Sequence, residues 1–239
     1  MNVKIAVVYN NEPKLCSVVK QHPDIYVPIL AGHHWSKKNY DISGLLYDDV
    51  GDNISWLNPY INEMTAIYWL GKHIDALGNP DYIGLQHYRR LFDLDQVLPY
   101  LRLDTLILNR ETLMLPTVDF MEMCHGMGRY MTDMAKDIFH LEDKVIKNTF
   151  TEFMFSRTYY SRNLFVVPQS VLIGLTDYIS AVLSHVAKDI YFDVMGAPPA
   201  RNIGFVMERF VGFYFLLLER QYQFKVHPTM FYYVPEEEL

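Results

Sequence analysis

The chain has 239 residues, 50% apolar, 21% charged and 15% aromatic, enough to bury the core of one large domain or of two small ones packed together. Eighteen tyrosines and 14 phenylalanines against 12 glycines and 12 prolines exclude collagen-like, low-complexity and coiled-coil classes. A formal charge of −7 repels nucleic acid and anionic lipid on average, so no nucleic-acid partner is expected, although a local basic cluster can still bind a phosphate.

Val3 to Tyr9 is a short, β-branched apolar run that ends in Asn10-Asn11. It predicts a buried first strand whose C-terminal loop opens a site, the way nucleotide-binding α/β domains begin. The N-terminus carries Lys4 and a short apolar run, but the two asparagines arrive before a signal-peptide core is complete. From Tyr26 to Asp52 the chain is punctuated by Gly32, His33, His34, Gly44 and Gly51, which predicts loops around one short strand. Asn58-Pro59 then starts a helix, with asparagine as cap and proline in the first turn. Leu57, Tyr60, Ile61, Met64, Ile67 and Tyr68 follow at helical spacing, and the helix should end near Gly78-Asn79-Pro80.

Tyr82-Ile83-Gly84-Leu85 reads as a second buried strand, running straight into Gln86-His87-Tyr88-Arg89-Arg90. Thr105 to Leu108 predicts a third strand, and Leu113 to Leu115 another before Pro116. Phe120, Met123, Met127, Tyr130, Met131 and Met134 form a helical stripe that Gly126 and Gly128 weaken. Further helices are expected over Glu142–Phe153, Gln169–Lys188 and Ile203–Arg220, strands over Asn163–Val167 and Gln223–His227, and a loop over Gly196–Ala200. Glu208 and Arg209 interrupt the longest apolar stretch, so no segment reaches the roughly 20 apolar residues that a membrane span needs. Alternating strands and helices, without repeat or linker, point to one α/β domain over 1–239.

The sharpest chemical feature is the block His87-Tyr88-Arg89-Arg90. After a parallel strand it would sit at the carboxyl edge of the sheet, where open α/β sheets bind ligands. Arginine forks match phosphate oxygens, and the histidine adds another donor, a combination suited to a diphosphate. The plainer reading pairs the arginines with surface carboxylates and buries the imidazole. Asp48-Asp49-Val50-Gly51-Asp52-Asn53-Ile54-Ser55 offers short oxygen-bearing side chains to ribose or sugar hydroxyls, or equally to turns and caps. Glu208-Arg209 inside an apolar helix fits either a structural ion pair or a site, because a buried carboxylate needs a partner.

Other chemistries lack their parts. Cys16 and Cys124 are too few for a disulfide framework and too far apart for a zinc knuckle, which suggests a reducing cytoplasm. His33-His34 has no HxxxH or cysteine companion, so no residue is assigned as a metal ligand. There is no GxGxxG, no Walker loop and no GxSxG.

Tyr47-Asp48-Asp49-Val50-Gly51-Asp52-Asn53-Ile54-Ser55, Glu63-Met64-Thr65-Ala66-Ile67-Tyr68-Trp69 and Tyr82-Ile83-Gly84-Leu85-Gln86-His87-Tyr88-Arg89-Arg90-Leu91-Phe92 resemble, in order, three motifs of one family. It is a bacterial glycosyltransferase family of capsule and exopolysaccharide gene clusters, long catalogued as a domain of unknown function. Asn163-Leu164-Phe165-Val166, Arg201 and Gly204-Phe205-Val206-Met207-Glu208-Arg209-Phe210 resemble its later segments. The sequence departs from the usual run at Val50, Met64 and Gln86, and it is short after the last helix.

The resemblance implies a GT-A-like α/β fold with a mixed, mainly parallel sheet flanked by helices. It implies a nucleotide-binding part over about 1–115 and an acceptor and catalytic part over about 116–239. The implied reaction moves a sugar, galactose or galactofuranose among the candidates, from a nucleotide diphosphate sugar such as a UDP-sugar to a glycan or lipid-linked acceptor. It would take place in the cytoplasm or at the inner face of the membrane. His87, Tyr88, Arg89, Arg90, Asp52, Asn53, Asn163, Arg201 and Arg209 are the expected donor-binding residues. Glu208 is the expected general base of an inverting reaction, with Asp119 as the fallback. Protein cations would neutralise the leaving diphosphate, while Asp93-Leu94-Asp95 leaves a divalent cation, manganese or magnesium, open. Aromatic faces pack against the apolar sides of sugar rings, so Tyr88, Trp35, Tyr159 and Tyr160 are candidate platforms, while most of the other aromatics are expected in the core. The alternatives are a non-catalytic binding module and a nucleotide-sugar modifying enzyme.

Overall fold

The computed structural model describes residues 1–139, 141–196 and 202–239, with the backbone alone for 187–196. Of the loop expected over Gly196–Ala200, Gly196 ends a helix, and residues 197–200 and the candidate Arg201 lie outside the described residues. The strands are β1 (Val3–Tyr9), β2 (Tyr26–Leu30), β3 (Leu46–Tyr47), β4 (Tyr82–His87), β5 (Arg90–Phe92), β6 (Thr105–Thr112), β7 (Thr158–Pro168), β8 (Lys225–Thr229) and β9 (Phe231–Tyr233). They form one sheet in the order β3-β2-β1-β4-β7-β6-β8, with β5 pairing to β4 and β9 to β5.

The sheet is mixed, as expected. β3, β2, β1 and β4 are all parallel, which aligns their carboxyl ends along one edge. β7 then runs antiparallel to both β4 and β6, and β8 returns parallel to β6. Along β1 the side chains alternate between two apolar layers, Ala6 and Val8 on one face and Ile5, Val7 and Tyr9 on the other. Both faces are covered, which is why β1 and β4 read as nearly continuous apolar runs.

The helices are α1 (Ser17–Gln21), α2 (His33–Ser36), α3 (Asn58–Ile61), α4 (Met64–Lys72), α5 (Thr117–His125), α6 (Gly128–Ile138), α7 (Lys144–Phe155), α8 (Gln169–Gly196) and α9 (Asn202–Gln221). α9 packs on β7 and against α3, α7 and α8, and α8 packs on α4. No helix among the described residues is long and apolar enough to cross a membrane.

Five expectations need correction. The helix starting at Asn58 is not continuous, because Asn62 adopts φ 54° and splits it into α3 and α4. Nor does Asn58 cap it: its side-chain amide reaches forward to Asn62 O at 2.9 Å and Thr65 Oγ1 at 3.1 Å. The methionine stripe divides at Gly126, whose φ of 64° closes α5 and lets α6 set off separately. Leu113–Leu115 forms no strand, since the chain leaves β6 at Thr112 and turns into Pro116 ahead of α5. Between Tyr26 and Asp52 there are two strands and a helical turn rather than one strand.

Candidate functional site

A cleft of about 310 Å³ opens at the carboxyl edge, where β1 and β4 end. Asn10 enters it from β1, His87, Tyr88 and Arg89 from the end of β4, and Arg90 from the start of β5. Asn62 and Glu63 come from the α3–α4 break, Arg162 from β7, and Phe205 and Glu208 from α9. Segments far apart in the sequence thus meet at one sheet edge, the place where parallel α/β sheets take their ligands.

The β7 contribution depends on an irregularity in the strand. Between the pairs Leu108–Phe165 and Arg110–Tyr160, Asn109 alone on β6 faces residues 161–164 on β7. The extra length is absorbed by Arg162 and Asn163 at φ 59° and 53°, a left-handed conformation costing about 1–3 kcal/mol for each such residue. Neighbouring bonds hold it there. Asn109 Nδ2 donates to Ser161 Oγ at 2.6 Å, and Arg162 Nε donates to Glu111 Oε1 at 2.5 Å. The Arg162 backbone N–H donates to Glu208 Oε1 at 3.0 Å, and Asn163 Nδ2 donates to Glu63 Oε1 at 2.6 Å.

His87 Nε2 lies 2.8 Å from Arg162 O. A carbonyl can only accept, so Nε2 carries the proton and Nδ1 is left for a ligand. Glu63 Oε1 is 3.8 Å from the same nitrogen. Glu208 Oε1 also accepts from Arg209 Nη1 at 2.7 Å, so both of its bonds fall on one oxygen and the other carries none among the described residues. Arg209 is buried, with its guanidinium over the rings of Tyr159 at 4.1 Å and Phe120 at 5.8 Å. Behind the cleft His125 stacks on Phe205 at 4.0 Å. Burial lowers the His125 pKa, Arg209 lowers it further, and Glu208 pulls the other way.

Arg89 and Arg90 differ from the other cleft cations. Among the described residues neither has an ion-pair partner, whereas Arg162 is paired to Glu111 and Arg209 to Glu208. Arg89 lies over the Tyr88 ring at 4.9 Å and is otherwise exposed. Arg90 lies over Phe231 and Tyr233, and its buried Nε has no hydrogen-bond partner. An arginine held by aromatic faces keeps its whole charge for an incoming anion.

The remaining candidates sit elsewhere. Asp52 accepts from Tyr68 Oη at 3.0 Å, and Asn53 Nδ2 donates to Asp49 O and Gly51 O. Neither lines the cleft. Their neighbour Asp48 is fully buried and accepts from Gly32 N at 2.8 Å, His33 N at 3.1 Å and Ser55 Oγ at 2.5 Å. This acidic loop therefore ties the ends of β2 and β3 together. Asp119 is exposed in the first turn of α5, outside the cleft. Of the aromatic platforms, Tyr88 lines the cleft. Trp35 Nε1 donates to Trp56 O, Tyr159 lies under Arg209, and Tyr160 Oη donates to Glu219.

The cleft adds Asn10, Asn62, Glu63, Arg162 and Phe205 to the sequence-based candidates. Asn10 was signalled by the polar end of β1, while Glu63 and Phe205 lay inside quoted motifs without a role. Asp93 Oδ1 is used by Asp95 N in an exposed turn. No group of three or more His, Cys, Asp or Glu side chains among the described residues could hold a metal ion.

A family model described as a domain of unknown function, DUF4422, matches residues 5–219. The chain belongs to the DUF4422 family. Comparison with the curated proteins gives no match. Among solved structures, this DUF4422 chain is similar to the apo structure of WbbM, a bifunctional glycosyltransferase, at 19% identity and a TM-score of 0.76. The likeness covers 99% of this chain and 46% of that one, so the DUF4422 chain spans less than half of WbbM's solved length. The GT-A-like α/β fold is thereby established. Core-mannan synthase A of Aspergillus fumigatus, solved in an Mn/GDP form, is more distant, at 12% identity and a TM-score of 0.40 over 95% of this chain and 72% of that one.

Proposed function

We propose that this chain is a glycosyltransferase that moves a hexose from a nucleotide diphosphate sugar to a glycan or lipid-linked acceptor in capsular or exopolysaccharide synthesis. A UDP-sugar carrying galactose or galactofuranose is the donor we favour. The observation that carries the reading is the pair Arg89 and Arg90, cations without a carboxylate partner among the described residues, in the same cleft as the carboxylate of Glu208. A cleft of this composition can bind a diphosphate and accept a proton from a hydroxyl.

Arg89 and Arg90 take the diphosphate, His87 donates to it once Nδ1 also carries a proton, and Tyr88 faces the sugar. In an inverting displacement the acceptor hydroxyl attacks the anomeric carbon as the bond to the diphosphate breaks. Glu208 takes the hydroxyl proton, and the arginines take the charge that appears on the leaving group. Glu208 is preferred to Asp119 because it lines the cleft. Arg209 and Asn163 act through Glu208 and Glu63, and the 48–55 loop shapes the nucleotide side of the edge. The chain acts as one domain, with its nucleotide part over about 1–115 and its acceptor part over about 116–239.

The test is a panel of nucleotide sugars incubated with free and lipid-linked saccharide acceptors. Release of nucleoside diphosphate together with a lengthened acceptor supports the reading. Binding without turnover would leave a recognition module, and release of phosphate or exchange with pyrophosphate a nucleotide-sugar modifying enzyme.

A further inference from the structure

The match to the family ends at residue 219, yet the chain continues through β8 and returns as β9 beside the cleft. β9 pairs antiparallel with β5, placing Tyr233 opposite Arg90 and Phe231 opposite Phe92. The Val234 backbone N–H closes the pairing on Arg89 O at 3.1 Å. Phe231 and Tyr233, two residues apart, project from the same face of β9 and meet edge to face at 5.1 Å.

That face holds two of the cleft's cations. The Arg90 guanidinium carbon lies 5.7 Å from the Phe231 ring centre and 5.5 Å from that of Tyr233, and Arg162 lies 5.6 Å from Phe231. One phenyl ring is thus shared by two arginines that would otherwise repel each other. The negative face of the ring offsets that repulsion and leaves the charge of Arg90 uncancelled, while Arg162 is also paired with Glu111.

We infer that Phe231 and Tyr233 are positioning residues that hold Arg90 and Arg162 at the spacing a nucleoside diphosphate requires. They touch the cations rather than the ligand, and they supply the diphosphate side of the cleft with order that residues 5–219 alone do not provide. This inference rests on the diphosphate reading of the cleft.

The experiment compares the full chain with Phe231→Leu, Phe231→Tyr and Arg90→Ala, measuring UDP and GDP binding by calorimetry and melting temperature in parallel. Leucine keeps apolar bulk and removes the ring, so Phe231→Leu should weaken binding by about fivefold or more with a melting temperature equal to that of Phe231→Tyr. Phe231→Tyr restores the ring face and should bind as the parent does. Leucine and tyrosine variants that bind alike would overturn the positioning role, even where Arg90→Ala weakens binding. If Arg90→Ala leaves both affinities unchanged, the diphosphate reading fails and the inference with it.

Discussion

Glu208 accepts the backbone N–H of Arg162 at 3.0 Å across 46 positions of sequence, and the same carboxylate oxygen takes Arg209 Nη1 at 2.7 Å. The proposed base is therefore fixed by one oxygen and works with the other. Glu208→Gln preserves an acceptor for both bonds but removes the charge. It should lower kcat by about 10²-fold or more while nucleoside diphosphate affinity stays within twofold. Steady-state turnover set beside calorimetric binding checks the split, and undiminished turnover would remove Glu208 from the mechanism.

Arg89 makes no ion pair among the described residues and is exposed, so Arg89→Ala should leave the melting temperature unchanged. Its cost should fall on ligand binding. A charged hydrogen bond to a phosphate is worth about 1.5–3 kcal/mol, which predicts roughly a tenfold or greater loss of UDP affinity. The loss should grow further in the double variant Arg89→Ala/Arg90→Ala. Titration at two salt concentrations adds a check, because removing a phosphate contact should flatten the salt dependence.

Gly204 is the point where α9 passes the α3–α4 break. A Cβ there would lie 2.3 Å from Asn62 Nδ2 and 3.1 Å from Tyr60 O. Gly204→Ala should cost about 1–3 kcal/mol in denaturant unfolding, as overpacking does. It should also reduce turnover, because α9 carries Glu208. A variant as stable and as active as the parent would mean that the two segments are free to part.

His125 gives the cleft a pH dependence. Burial, followed by the nearby Arg209, disfavours the imidazolium, so the folded pKa lies below the unfolded one. The unfolded chain then binds more protons in the interval between the two values, and stability rises with pH across it. The contribution is complete above the ordinary imidazole range near 6.5 and is lost as pH falls from there toward the lowered value. Melting curves at pH 7.5 and 5.5 should show a larger drop for the parent than for His125→Gln. Equal drops would assign the acid sensitivity to other groups.

Local sequence was a good guide where burial and periodicity are themselves local. β1 from Val3 to Tyr9, the strand leading into His87-Tyr88-Arg89-Arg90, and the long apolar helix carrying Glu208 all follow from residue pattern and lie where that pattern puts them. The break at Asn62 was not legible. Its signal is a polar knot of Asn58, Asn62 and Thr65 whose bonds form only once the chain has turned, and helical spacing runs through it undisturbed. The sharing of Phe231 between Arg90 and Arg162 was hidden for a related reason, because a cation–ring contact between distant segments leaves no periodic trace. The 48–55 loop shows the converse. Its acidic, hydroxyl-rich composition suits a sugar site and a turn equally, and in the structure its side chains bond mainly to the loop itself and to the end of β2.

The irregular turn of β7 has a genetic consequence. The amide of Arg162 reaches Glu208 and its carbonyl reaches His87, so no exchange of side chain at that position, proline apart, removes the group that makes either link. What encodes them is the number of residues between Tyr160 and Phe165, where β6 has Asn109 alone. A short in-frame deletion within 161–164 would let the two strands zip into an ordinary ladder and could even yield a more regular sheet. It would also detach Glu208, the proposed base, together with His87 and Glu63 from their common anchor. In this chain the spelling of the site includes its letter count, and a change of length there would silence it while leaving the motifs at 47–55, 63–69 and 82–92 intact.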